Sequence, residues 1–467
     1  ISATDIEVRV KRMTVDESVN YIVETIDEAL VHLPARVLSS NDLGRIDQVI
    51  AKAIKSRVLT YAASPLFNGN SEMYSGFVNE DGEHFFNQSY DQNKWDLARE
   101  ASLDAINTAV ENGVSLHDFN STPPNFEDEY DDEEFIQTLY DLKYTIVDKW
   151  NSELIWGNSN PVRGNDWWQM QAACMMKDPN GSSVEAAWQW IAPTMRIAEL
   201  FYSENGLPID EDLTYDYQNR LNVVSVSANQ NLQAQYGTST AKLNLDREPR
   251  FYSSLGFDRG YNRTWGNLWQ LRMKKGEIHG RIANSDDYLI TGYALKKLVH
   301  PDSEGDSYSK IVTYAWPVIR LSELYLNYAE AVNESNGPSS DAFDVLNLIR
   351  QRAGIKSVED AWGDSNISSN LNKHTTQEGL RDIIRQERLI ELSFEGNRYN
   401  DLRRWKLADE YFNSPVLGWS VDETTVSGYY NITQVGIRSF NNPRDYFHPI
   451  SINELTINPN LIQNPGW

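Results

Sequence analysis

Apolar positions recur at three- and four-residue steps in the first and last parts of this chain, and that rhythm fades between them. Thr14-Val-Asp-Glu17 has the form of a capping box, in which the Thr hydroxyl and the Glu carboxylate each satisfy an otherwise orphaned N–H. Val19, Ile22, Ile26, Ala29, Leu30 and Leu33 follow at helical spacing, and Pro34 ends the run. A second helix is predicted through Ile46, Val49, Ile50, Ala53, Ile54, Arg57 and Tyr61, stopped by Ser64-Pro65, so the two form an antiparallel hairpin. A third runs from Trp95 through Ala98, Ala101, Ala105, Ile106 and Ala109 to Asn112-Gly113, its small residues permitting close approach of a neighbouring helix.

Residues 114–315 read differently, with a Pro/acidic stretch, short aromatic runs, many Gly and Asn, and few sustained helical periods. This part is expected to be a loop-rich excursion. Its acidic run, Glu127 to Glu134, is expected to be a solvated face, since calcium binding would call for a Gly-centred ligand loop that is not there. Helical spacing returns in Arg320 to Ala331 and in Asp341 to Arg352, separated by Asn336-Gly337-Pro338, and Thr375-Thr-Gln-Glu378 is expected to cap a long helix running through Phe394. The pattern predicts a mainly α chain of tetratricopeptide-like helical hairpins, although the strict repeat consensus is missing. One domain over 1–467 is expected, with hairpins in 1–113 and in 316–467, the latter followed by a C-terminal tail, and the excursion between them.

Composition narrows the partners. With 42 Lys+Arg against 67 Asp+Glu the formal charge is −25, which opposes phosphate backbones and acidic lipid headgroups, so nucleic acid is not an expected partner. The same field favours neutral or weakly charged ligands over sulfated or uronate-rich ones unless a local basic pocket overrides it. Cys174 is the single cysteine, so no internal disulfide forms, and Ala172-Ala173-Cys174-Met175-Met176 reads as buried packing around an inert thiol. His117, His279 and His300 lie in separate loops without zinc-ligand spacing. No apolar run approaches the ~18 residues of a membrane span. The chain opens at Ile1 without the pattern of an export signal, so any such signal is expected to have been removed already.

Four segments of the second half carry a family likeness: Arg320-Leu-Ser-Glu-Leu-Tyr-Leu-Asn-Tyr-Ala-Glu-Ala331, Arg385-Gln-Glu-Arg-Leu-Ile-Glu-Leu-Ser-Phe-Glu-Gly-Asn-Arg398, Asp401-Leu-Arg-Arg-Trp405, and Phe447-His-Pro-Ile450 with Asn458 to Trp467. In that order they resemble the SusD/RagB family, and Arg57 to Phe67, Asn205 to Ile209 and Arg247 to Tyr252 look like earlier landmarks of it. The resemblance implies a helical scaffold with an irregular body, anchored by a lipidated N-terminal Cys at the outer membrane and cell surface. It also implies a partner, a TonB-dependent SusC-like transporter on which the protein sits as a lid, with an oligosaccharide or polysaccharide as cargo, no catalysis and no cofactor. The lipidation Cys and the first hairpin of the family pattern do not stand at the start of this sequence. Family glycan sites often draw contacts from that stretch, so the residues named below are expected to be part of a site.

The candidate chemistry can be weighed residue by residue. Glu387, Glu391 and Glu395 lie four apart on one helical face and could be nominated as the acid and base of a glycoside hydrolase. Arg388 and Arg398 are interleaved with them, and carboxylates held ionised by guanidinium groups do not serve as general acids, so a structural network extended by Asp401, Arg403, Arg404 and Trp405 is expected instead. Arg320, Glu323 and Glu330 are expected to stitch hairpins together. For sugar contact, Trp167-Trp168 follow a turn-prone Gly164-Asn165-Asp166, and Tyr261, Trp265 and Trp269 sit among Gly, Asn and Arg in 259–269. These five residues are the candidate glycan platform, the alternative for each being core packing. Trp188 and Trp190, before Ala192-Pro193, read as packing. A glycoside hydrolase on a helical scaffold and a peptide-capturing receptor remain the competing functions.

Overall fold

Thr14 caps the first helix as the sequence predicts: in the computed structural model, which describes residues 9–124, 132–159, 167–181, 183–264, 267–283 and 285–467, it accepts from the Glu17 N–H while the Glu17 carboxylate takes the Thr14 N–H. That helix, Val15–Leu30, packs on Gln48–Ala63, which packs on Asn93–Glu111. The alanine-rich face of Asn93–Glu111 lets a fourth helix, Leu321–Asn336, approach from the other side. Where the helices meet, the hydroxyls of Ser56 and Ser102 share a 2.8 Å hydrogen bond, and Asn327 donates to Ser56 at 3.2 Å. The helical runs from the two ends of the chain therefore form one scaffold, completed by Ser340–Arg352 and Gln377–Glu391 packed against Leu321–Asn336.

Two helix boundaries and one whole helix differ from expectation. Thr376, not Thr375, caps the Gln377 helix, accepting from Gly379 N–H. That helix stops at Glu391 rather than running through Phe394, because Phe394 and Gly396 both take left-handed backbone conformations. Within the excursion, Glu133–Val147 is a sustained helix: Asp132 accepts from Phe135 N–H, Glu133 and Glu134 stand in its positive first turn, and Ile136, Leu139, Tyr140, Leu142 and Ile146 enter the core. The end of the acidic run thus begins a helix; residues 127–131 lie outside the described part.

The rest of the excursion is built of short helices, turns and two-stranded antiparallel ladders. One ladder pairs Leu154–Asn158 with Trp316–Arg320 and closes the neck of the excursion, with Leu154 opposite Arg320 and Asn158 opposite Trp316. Another is the hairpin of Tyr261–Thr264 with Asn267–Gln270. The main apolar core runs without a break from the scaffold, through Val49, Leu324 and Ile383, into the excursion at Phe251, Leu271 and Tyr293. At the far end, the tail folds back on the first described residues: Asn458 donates to the Val10 carbonyl at 2.9 Å and Arg12 donates to Asn464 at 2.7 Å.

Candidate functional site

The Glu face of Gln377–Glu391 can be assigned first. Glu387 accepts from Arg250 at 2.5 Å and from Arg350 at 2.9 Å; Glu391 meets Arg320 at 2.7 Å as well as Arg352 and Arg250; Glu395 meets Arg320 and Lys297, each at 2.7 Å. Burial alone would raise Glu391, yet Arg352, Arg320, Arg250 and Lys297 together hold it well below the usual carboxylate range. Such a group is fixed as an anion and has no proton to give. Glu387 and Glu391 are buried as well, out of reach of a polymer.

Arg388 points to the other side of the helix, toward Asp401 at 2.9 Å and Asn327 at 2.8 Å; Asp401 holds Arg404, which pairs with Glu330 at 2.6 Å. The network is real, with two corrections to the sequence reading. The cations of Glu387 and Glu391 come from Arg250, Arg320, Arg350 and Arg352, because Arg388 lies about 100° round the helix from Glu387. Arg398 takes no part: its guanidinium sits 5.1 Å over the Tyr411 ring, in a cleft.

The five aromatic candidates separate. Trp167 and Trp168 open the short helix Trp167–Cys174, and their side chains lie outside the described part, as does the whole of Trp265. Tyr261 is half-buried on that hairpin, with Arg263 5.5 Å over its ring. Trp269 offers no face to solvent, being 8% exposed and stacked 5.2 Å from the buried His279 ring. The strand alternation that turns Asn262 and Thr264 inward on Tyr261–Thr264 turns Trp269 inward on the partner strand.

Among the described residues the most exposed indole is instead one that the sequence reading gave to packing. Trp190 is 55% exposed, with its ring 4.4 Å from Trp188, and Tyr308 stands edge-on to Trp188 at 6.3 Å. Trp190 donates through Nε1 to Asp287 at 2.7 Å, and the Trp188 and Trp190 backbones are tied to the carbonyls of Ala172 and Ala173. Between them Gln189 has φ 54°, and its buried amide bonds Lys177 N–H and the Asp287 carbonyl. A left-handed non-Gly residue costs on the order of 1 kcal/mol and persists where its surroundings over-determine it. Here it sets two indoles against each other. The available sequence signal was the Trp-x-Trp spacing, which places both rings on one side of an extended segment.

Ile191, next along the chain, lines a cleft of about 710 Å³. Arg196 lies 3.9 Å over Tyr411 and donates to Ser414 at 2.8 Å, while Tyr399 and Phe412 pack 5.6 Å apart. Burial and the nearby Arg196 and Arg438 push Arg398 down to about 10, and its Nη1 has no hydrogen-bond partner. Aromatic faces with guanidinium and hydroxyl donors beside them can pack the C–H face of a pyranose and bond its hydroxyls. Among the described residues, no cluster of His, Cys, Asp and Glu is arranged to hold a metal ion.

Comparison with known proteins decides the family. The model of the SusD family matches residues 152–467. This chain belongs to the SusD family. The solved structure of BT4246, 30% identical, superposes with a TM-score of 0.83, covering 98% of this chain and 77% of that one. SusD-like protein P2 of Formosa agariphila is 34% identical over 150 residues, 32% of this chain and 25% of that protein. The starch-binding protein SusD of Bacteroides thetaiotaomicron is 25% identical over 189 residues, 40% of this chain and 26% of that protein. The matched stretches thus span about a quarter of these two SusD relatives. The helical scaffold and irregular body are the SusD-like fold that the four motif segments implied.

Proposed function

We propose that this SusD-family chain is a non-enzymatic glycan-binding protein of the bacterial cell surface, which captures oligosaccharide or polysaccharide and delivers it to a TonB-dependent outer-membrane transporter. The observation that carries the binding reading is the exposed Trp190, stacked on the half-buried Trp188 beside a cleft rich in aromatic rings and arginine. Family membership and the starch-binding relative support the same class of ligand. A non-catalytic role is supported by the carboxylates of the Gln377–Glu391 helix, ion-paired and buried where a hydrolase needs a reachable acid and base. No described helix is long and apolar enough to cross a membrane, and the proposed outer-membrane location rests on the family.

The test is a panel of neutral plant, fungal and bacterial glycans read for both binding and turnover. A bound glycan released unchanged is expected, whereas a defined cleavage pattern would favour the hydrolase, and hits from a peptide library alone would favour peptide capture. Trp190→Ala should lower affinity by about 2 kcal/mol, as truncation of an interface anchor does, with the melting temperature unchanged. Trp269→Ala should do the reverse, costing roughly 3 to 5 kcal/mol of stability while the folded fraction binds normally. Tyr261, Trp265, Trp167 and Trp168 stay in the proposed site, and the same paired readout on their Ala variants assigns each to ligand or core.

A further inference from the structure

A second, smaller cavity adjoins the segment from which the aromatic pair hangs. It has a volume of about 50 Å³ and is lined by Lys143 of the helix Glu133–Val147, by Asn262, Arg263 and Thr264 of the hairpin, by Lys296, and by Cys174. One water needs roughly 10–15 Å³ of such space, so the cavity has room for a group of a few heavy atoms and not for a pyranose ring. Lys143 donates to the Lys296 carbonyl, and Lys296 donates to the Tyr261 carbonyl at 3.0 Å. A neutral amine carries two N–H donors and an ammonium three, so each lysine keeps at least one in hand.

What faces these amines is as informative as the amines. Among the described residues, the charged neighbours acting on Lys296 are Arg263 and Lys143, and the one acting on Lys143 is the Cys174 thiol; no carboxylate is among them. Burial pushes that thiol up to about 12, so it is neutral, and burial likewise keeps the Tyr252 phenol in the wall neutral. In a chain carrying −25 net charge, two partly buried lysines with no described carboxylate acting on them are an arrangement an anion would complete. The cavity is also joined to the aromatic pair. Trp188 and Trp190 hang by 2.8 and 2.7 Å hydrogen bonds from the carbonyls of Ala172 and Ala173, and the next residues, Cys174 to Met176, are cavity wall.

We infer that this cavity receives the anionic substituent of a sugar, a uronate carboxylate or a sulfate ester, gripped by Lys143 and Lys296 while its ring stays outside. The inference rests on the glycan-binding reading and sharpens it: the global charge repels acidic glycans, and this site selects those whose single anionic group can enter. Burial pushes Lys143 down to about 7 and Lys296 well below its ordinary value, so an entering anion draws protons onto the amines. Binding is therefore stronger at low pH.

Calorimetric titration of the whole protein with glucuronate, glucose 6-sulfate, inorganic sulfate and glucose tests this. Glucuronate or glucose 6-sulfate should bind saturably and glucose should not enter the cavity; whichever of the two binds more tightly names the anion, and inorganic sulfate reports the bare grip of the amines. Affinity for the anion should fall about tenfold from pH 6 to pH 8 as one proton's uptake becomes costly. Lys143→Met and Lys296→Met should each weaken the anion at least tenfold while leaving binding of neutral glycans at the aromatic pair unchanged. Since each substitution removes a buried amine, neither variant should melt below the parent. The inference is overturned if no anion binds below about 10 mM, or if both Met variants bind it as the parent does. Neutral glycan binding with no anion response sinks this inference alone; an anion response lost in Lys143→Met with no glycan bound anywhere keeps the anion site and sinks the glycan reading.

Discussion

Trp190 and Trp269 exchanged the places their sequence contexts suggested, and the reason lies in side-chain direction rather than residue type. Trp269 sits among Gly, Asn and Arg, yet strand alternation turns it onto His279; Trp190 follows Ala186-Ala187 and precedes Ala192-Pro193, yet one left-handed residue holds it out. His279 itself is a neutral buried imidazole, accepting from Arg272 N–H at Nδ1 and donating from Nε2 to the Lys177 carbonyl. Burial pushes it down from 6.5 to about 4, so its contribution to stability is complete above pH 6.5 and is lost as pH falls toward 4. Nearby Asp258, bonded to Met273 N–H, is pushed the other way by burial, from 3.8 to about 7 despite Arg259, so its contribution is complete below pH 3.8 and is lost as pH rises toward 7. The two oppose each other across the same window. Asp258→Asn keeps the acceptor for Met273 and removes one side of the balance, so its stability should gain on the parent from pH 4 to pH 7, by on the order of 3 kcal/mol. Denaturant melts at several pH values check it, and parallel curves for parent and variant would show that Asp258 does not hold its proton.

At the scale of elements, the helices with clear caps and stops were legible and the others were not. Thr14, Ser64-Pro65 and Asn112-Gly113 mark real boundaries because capping and breaking are local chemistry. Glu133–Val147 escaped notice because its acidic first turn reads as part of a solvated run, although those charges suit a helix N-terminus. The Arg/Glu motifs announced a network, but not which arginine serves which carboxylate, since Arg250 and Arg320 arrive from distant parts of the chain. Arg388→Ala should leave Asp401 facing Arg404 alone, strand Asn327, and cost on the order of 3 kcal/mol. Calorimetry should show the lower melting temperature, and the folded variant should still bind glycan as the parent does. Loss of binding at unchanged melting would place Arg388 in the ligand site.

For the whole molecule, the sequence reading of a helical scaffold interrupted by a loop-rich body describes the chain's path. What periodicity could not reveal is how the body is joined to the scaffold. Arg250 reaches from the excursion to Glu387 and Glu391 on the scaffold helix, and one apolar core crosses from one to the other. Thermal unfolding is therefore expected as a single transition, with calorimetric and van't Hoff enthalpies in agreement; two resolved transitions would mean that scaffold and excursion unfold separately. The neck has a mechanical consequence. A load on the excursion that reaches the neck meets Asn158 and Trp316, the outer rung of a short antiparallel ladder, where it peels rungs one after another. The last rung joins Leu154 to Arg320, and Arg320 is clamped by Glu153, Glu391 and Glu395. A tear that runs down the ladder therefore meets that clamp before it reaches the helix Leu321–Asn336.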